Sequence, residues 1–148
     1  YTEAYAQNLD GMSQLSGKEA QEGDALTAGV ALLAPGGRHL SFKRHADGSI
    51  RPHLDLRPFD APHRPSVDIL FQSAADLFGS RTLGVVMTGM GSDGKQGAAW
   101  IKSQGGMVLT EAEESCIVYG MPLSVVEAGL SDKSVPLERM ARSIIEVV

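Results

Sequence analysis

One cysteine, one tryptophan and an aromatic content of 5% are the first things this chain of 148 residues is short of. The lone Cys116 rules out an internal disulfide and fits a reducing compartment. With only four histidines, and none at a zinc-like spacing from the cysteine or an aspartate, no metal site is expected. No apolar run approaches the length needed to span a bilayer, and the first residues lack the basic and apolar regions of a secretory signal. The expectations are therefore no membrane insertion and a cytoplasmic location. Basic residues are also scarce: 13 Lys and Arg against 18 Asp and Glu give a net charge of −5 and a sequence pI near 5.3. With no Lys/Arg cluster, that balance argues against a nucleic-acid or anionic-membrane surface. Internal repeats and low-complexity segments are missing too.

What is present is the composition of an ordinary globular domain, with 43% hydrophobic and 21% charged residues. A chain of this length buries roughly two thirds of the surface its unfolded form exposes, so residues 1–148 are expected to form a single domain. The chain opens on Tyr1 and the helix-like run Thr2-Glu3-Ala4-Tyr5-Ala6, with no initiating methionine and no cap, which is expected of a piece of something longer.

Residues 2 to 12 read as a helix, and Gly17 to Gly23 as a polar connector without a strand. Val30 to Leu33 and Leu40 to Phe42 flank the turn Pro35-Gly36-Gly37, and Asp47-Gly48 separates Phe42 from the stretch Ile50 to Leu56. These segments predict a small antiparallel section at a sheet edge. Pro58, Pro62 and Pro65 hold an extended loop. Ser66 then precedes Val67, Leu70, Phe71, Ala74, Leu77 and Phe78, a helical spacing with an N-cap before it and Gly79 as its stop.

A strand from Leu83 to Thr88, a helix from about Gly94 to Ser103 and a strand Met107-Val108-Leu109 follow. Pro122 marks the first turn of a helix that runs through Ala128 and is closed by Gly129. Pro136 starts another, in which Leu137, Met140, Ala141, Ile144 and Val148 share a face. Alternating strands and helices predict an α/β fold with a mostly parallel sheet and helices on both faces.

The run Val85 to Gly94 is the most informative stretch. A β-branched strand ends in the glycine-dense turn Thr88-Gly89-Met90-Gly91-Ser92-Asp93-Gly94, and α/β proteins bind ligands beyond the carboxyl ends of such strands. Three readings of the turn compete. Gly89-x-Gly91-x-x-Gly94, with Glu111 about 20 residues further on, matches a dinucleotide-binding fingerprint. Against this, Asp93 places a carboxylate where a phosphate would sit, and the unit lies far from the chain start. In the second reading Asp93 orients a histidine in a Ser-His-Asp site. In the third, Ser92 or Asp93 merely caps the following helix.

Other candidates read more plainly. His39 is expected to pack at a strand end, His63 to hydrogen-bond near the Ser66 cap, and His45 and His53 to face solvent. Arg64 is expected in a structural salt bridge. Among Met87, Met90, Met107 and Met121, three lie in or beside apolar runs and are expected to fill the core. Trp100 is expected to pack against a neighbouring helix or sheet face. Nothing near Cys116 would lower its pKa, so it is no candidate nucleophile. The chain contains no G-x-S-x-G, and Ser92 adjoins Asp93 too closely to serve as its nucleophile.

Four motifs occur in order: Ala34-Pro35-Gly36-Gly37-Arg38-His39-Leu40, His63-Arg64-Pro65-Ser66-Val67-Asp68-Ile69-Leu70-Phe71, Thr88 to Gly94, and Tyr119-Gly120-Met121-Pro122. Together they closely resemble the catalytic domain of the bacterial chemotaxis protein-glutamate methylesterases, over residues 1 to about 137. The resemblance implies a three-layer α/β domain, with hydrolysis of glutamate γ-methyl esters on chemoreceptor cytoplasmic domains and deamidation of certain glutamines. It assigns the triad aspartate to Asp93 and an oxyanion-binding backbone amide to Met90, and it implies no cofactor.

In that family the serine and histidine precede the helix that Tyr1 to Asp10 resembles. The expectation is that they lie outside this chain, which alone would be inactive, and that a receiver domain precedes the complete catalytic domain. A noncatalytic interaction module on the same fold is the remaining alternative.

Overall fold

Caps, prolines and glycines bracket most of the elements where the sequence places them. The computed structural model describes residues 1–148. In chain order they form α1 (Thr2–Met12), β1 (Ser16–Glu19), β2 (Val30–Leu33), β3 (His39–Arg44), β4 (Ile50–Asp55), α2 (Val67–Phe78), β5 (Leu83–Val86), α3 (Lys95–Ser103), β6 (Met107–Glu111), α4 (Gly120–Glu127), β7 (Lys133–Val135) and α5 (Leu137–Val147). Short 3-10 turns follow α2 and β6. The Ser66 hydroxyl caps α2 by accepting from Ile69 N, and Gly79 ends it in a backbone conformation with φ of 56°.

Strands β5, β6 and β7 form a parallel sheet in that order, with Val85 opposite Leu109 and Leu109 opposite Lys133. Alternation along these strands builds two cores. Val86 and Val108 point to one face, where Ala75, Ala98, Ile101 and Val125 of α2, α3 and α4 meet them. Leu83, Val85, Leu109 and Val135 point to the other, against Met140 and Ile144 of α5. Helices thus cover both faces, as the alternation of elements predicts.

Two expectations about the first part of the chain need correction. The polar stretch after α1 is not a connector: Ser16–Glu19 is β1, paired in parallel with β2 in register Ser16 to Val30. Its partners are tertiary, since Asp10 of α1 accepts from Gly17 N at 2.9 Å and Thr2 donates to the Glu19 carboxylate. Half of β1 faces solvent, so it carries no apolar alternation to read. Consequently β2 does not join the antiparallel section, which is β3 and β4 alone, with His39 opposite Asp55. Strands β2 and β5 each keep one unpaired edge.

The methionines also differ from expectation. Met87, Met90 and Met107 are exposed. Only Met121 of the four packs against a core cluster. Met90 and Met87 lie in the turn beyond β5, where the apolar run has already left the sheet. Trp100, expected to pack, is exposed, and its link to α2 is polar: its indole N–H donates to Asp76 at 2.6 Å.

Candidate active site

The turn after β5 is fixed at both ends by side chains from elsewhere in the fold. At its far end the Asp93 carboxylate reaches the N-terminus of α2. Oδ1 accepts from the Ser66 hydroxyl and Asp68 N, both at 3.0 Å, and Oδ2 accepts from Val67 N at 2.8 Å. Asp68, in the first turn of α2, returns the contact: its Oδ1 accepts from Gly94 N at 2.9 Å and Gly97 N at 2.8 Å, at the start of α3. The two helices lie close enough for this exchange because residue 97 is glycine. A Cβ there would sit 2.6 Å from Phe71 Cβ and 3.0 Å from Asp68 Cα.

The sequence reading of Asp93 as a cap is thus half right. It caps a helix, but α2 rather than the α3 that follows it.

The two carboxyls differ in charge preference. Burial opposes ionisation of Asp93, yet the amides of Val67 and Asp68 and the Ser66 hydroxyl outweigh it and hold the group below its ordinary value, with His63 assisting. Burial pushes Asp68 upward, and the amides of Gly97 and Gly94 offset only part of that, while the neighbouring Asp93 charge adds to it. A carboxylate has about four acceptor positions. Three on Asp93 are used, so one on Oδ2 remains for a further donor.

Beside Asp93 lies a cavity of about 310 Å³, bordered mainly by the polar residues His63, Ser66, Asp68, Ser92 and Lys95, together with Pro62. His63 lines this cavity and makes none of the hydrogen bonds expected of it near the Ser66 cap. The Ser66 hydroxyl has a structural use here, donating to Asp93 and accepting from Ile69 N.

At the near end of the turn, Glu111 Oε1 accepts from Thr88 N at 2.9 Å. The segment 118–121 then runs alongside. Val118 N donates to Thr88 Oγ1 at 2.9 Å, Gly89 N donates to Val118 O at 3.0 Å, and Gly120 N and Met121 N both donate to Gly89 O. Gly120 has to be bare, because a Cβ would lie 2.8 Å from Gly89 O. Between these anchored ends, the backbone amide of Met90 has no acceptor within the chain, and Met90 is 79% exposed.

This geometry disposes of the dinucleotide reading. The amides of Gly94 and Gly97 that a pyrophosphate would use are taken by Asp68, and Asp93 adds a second carboxylate beside them. Glu111, the residue required to hold a ribose, is buried and bonded to Thr88 instead.

The remaining candidates fall away from the site. His39 is buried, with Nε2 3.3 Å from Pro58 O. His53 is not solvent-facing as expected but sits between Glu22 and Asp55, at 3.0 and 3.3 Å. Arg64 forms no salt bridge and donates to Leu56 O at 3.3 Å. Burial and the neighbouring Glu111 push the Cys116 thiol up, away from nucleophilic character. No group of three or more His, Cys, Asp or Glu side chains is arranged to hold a metal ion. No helix is long and apolar enough to cross a membrane.

Sequence reasoning singles out Asp93 and Met90 and passes over Asp68 and the hydrogen bond from Thr88 N to Glu111. An acid in the first turn of α2 looks like an ordinary partner of its own helix. Only the tertiary contact with α3 shows otherwise.

Comparison with known proteins agrees with the motifs. The CheB methylesterase family profile matches residues 1–144. A protein named protein-glutamate methylesterase/protein-glutamine glutaminase 2 from Methanosarcina acetivorans is 43% identical over 151 residues, covering 100% of this chain and 42% of that protein. The protein-glutamate methylesterase/protein-glutamine glutaminase 5 of Myxococcus xanthus is 49% identical over 140 residues, covering 95% of this chain and 40% of that protein. This chain therefore spans about two fifths of the length of these relatives. The crystal structure of the Thermotoga maritima CheB methylesterase catalytic domain matches with a TM-score of 0.94 and 39% identity, over 99% of this chain and 77% of that one. By family match, sequence identity and fold, the chain belongs to the CheB methylesterase family.

Proposed function

We propose that this chain is the larger part of a catalytic domain that hydrolyses glutamate γ-methyl esters, and deamidates glutamines, on chemoreceptor cytoplasmic domains. The observation that carries the reading is Asp93: a carboxylate kept ionised by three donors, with one acceptor position spare, beside a polar cavity. A triad aspartate needs these properties. It must accept from a histidine N–H, fix its tautomer and stabilise the imidazolium that forms.

In this mechanism a serine hydroxyl attacks the ester carbonyl while the histidine takes its proton. The Met90 amide, free of any internal acceptor, donates to the oxyanion of the tetrahedral intermediate. The histidine then protonates the departing methanol, or ammonia from a glutamine. Water, activated by the same histidine, hydrolyses the acyl-enzyme and releases the glutamate carboxylate.

His63 and Ser92 border the Asp93 cavity, but neither is hydrogen-bonded to Asp93, and the relatives extend well beyond the matched region. The nucleophile and base are therefore assigned to that remaining length, and a receiver domain is a further expected part of the protein. A cytoplasmic location follows from the proposed substrate.

Methanol release from methylated receptor tests the reading. The complete protein is expected to release it, and the isolated 148-residue chain is not. Turnover by the isolated chain would show that the nucleophile lies within it, and no release by the complete protein would refute the assignment.

A further inference from the structure

Two buried ionisable groups, His39 and Glu111, take no part in the mechanism, and of these Glu111 is the one that touches the turn. Glu111, at the end of β6, is 1% exposed and forms no salt bridge, so its carboxylate is held by neutral donors alone. A buried polar side chain is costly unless it is hydrogen-bonded, and Glu111 uses both its oxygens. Oε1 accepts from Thr88 N at 2.9 Å, and Oε2 accepts from the Ser115 hydroxyl at 2.8 Å. Ser115 in turn accepts from Leu137 N at 2.9 Å, where α5 begins. One side chain thus ties the first residue of the Asp93 turn to Ser115, three residues before the segment 118–121 that runs alongside that turn.

We propose that Glu111 is a positioning residue for the Met90 amide, a role that rests on the methylesterase reading above. Thr88 stands two residues before Met90, and the contacts from Val118, Gly120 and Met121 to residues 88 and 89 complete the same anchor. Asp93 secures the other end of the turn from α2. The amide between them has nothing of its own to hold it, so its direction is inherited from these two fixings. Oxyanion donors act mainly in the transition state, so loosening one lowers kcat more than it raises KM.

The carbonyl oxygen of a glutamine at position 111 could still accept from Thr88 N, while its amide donated to Ser115. Ser115 already has a second acceptor for its own proton in Ala112 O at 3.3 Å. Methionine would fill similar space and leave Thr88 N without a partner.

The experiment compares Glu111→Gln and Glu111→Met in the complete protein, by methanol release and by amide hydrogen exchange. Glu111→Gln is expected to keep kcat within about threefold of the parent. Glu111→Met is expected to lower kcat tenfold or more with KM little changed, and to speed exchange across residues 87–91 while α2 and α3 stay protected. Equal kcat and equal exchange in the two variants would overturn the proposal, as would a methionine variant that loses protection everywhere. If the parent protein released no methanol, the methylesterase reading would fail, and the exchange comparison would still decide whether Glu111 anchors the turn.

Discussion

Asp93 and Asp68 cap each other's helices. The Asp93 carboxylate accepts from Val67 N and Asp68 N at the start of α2, while Asp68 accepts from Gly94 N and Gly97 N at the start of α3. The exchange makes the orientation of a proposed triad member a product of helix docking, and it gives each substitution at these positions two separable effects.

Asp93→Asn should affect both. Without the carboxylate, the histidine tautomer is misdirected, and a loss of about 10³ to 10⁴ in turnover is expected on the serine-hydrolase precedent. The new amide nitrogen also faces a backbone donor where Oδ2 accepted one, costing about 1–2 kcal/mol of stability. Chemical denaturation beside methanol-release kinetics separates the two, and unchanged turnover would reduce Asp93 to a structural cap.

The pair also predicts the acid limb of stability. Asp93 is held below its ordinary value of 3.8, so its contribution is complete above that pH and is lost as pH falls further through the folded value. Asp68 has the opposite sign. Its folded value is raised, so the folded state takes up a proton first and stability gains as pH falls toward 3.8. Asp24 and Asp132 are depressed like Asp93. Melting temperature is therefore expected to change little from pH 7 to about 5 and to drop steeply below about pH 4. Asp68→Asn should remove the small gain on the way down.

Asp132 offers a test of which kind of contact matters. It pairs with Lys102 at 2.5 Å and also accepts from Val108 N of β6 at 2.7 Å. Lys102→Ala removes only a part-exposed ion pair and should cost under about 1 kcal/mol. Asp132→Ala strands a strand amide and should cost about 1–3 kcal/mol. Equal costs in urea denaturation would contradict this ranking.

Gly120→Ala should disturb the turn from the opposite side to Asp93. Its Cβ would meet Gly89 O at 2.8 Å and Gly91 N at 3.0 Å, so one of the two backbones must move. A fall in turnover of tenfold or more is expected in the complete protein. Normal activity would mean that the Met90 amide tolerates displacement of its neighbours.

What the sequence revealed depended on how local each signal was. Helix α2 was readable because its cap, its apolar spacing and its stop are contiguous in Ser66 to Gly79. The same holds for β5 and the glycine turn. Strand β1 was unreadable because its partners, Asp10, Thr2 and β2, are tertiary and its own residues are polar. Asp93 stands out in the sequence by its place at a strand end. Its acceptor role points back 26 residues to Val67, which no local pattern encodes. His53 was misplaced for a similar reason, since Glu22 is brought to it only by folding.

Strand β5 gives Val86 to the core beneath α2, α3 and α4, and Leu83 and Val85 to the core beneath α5. It is a party wall shared by both halves of the interior, and the glycine turn is its continuation. With the Asp93 and Glu111 fixings intact, the root of such a turn is freed only when both cores open. Heat inactivation and loss of tertiary structure should consequently follow a single curve, with no inactive intermediate that keeps its packing.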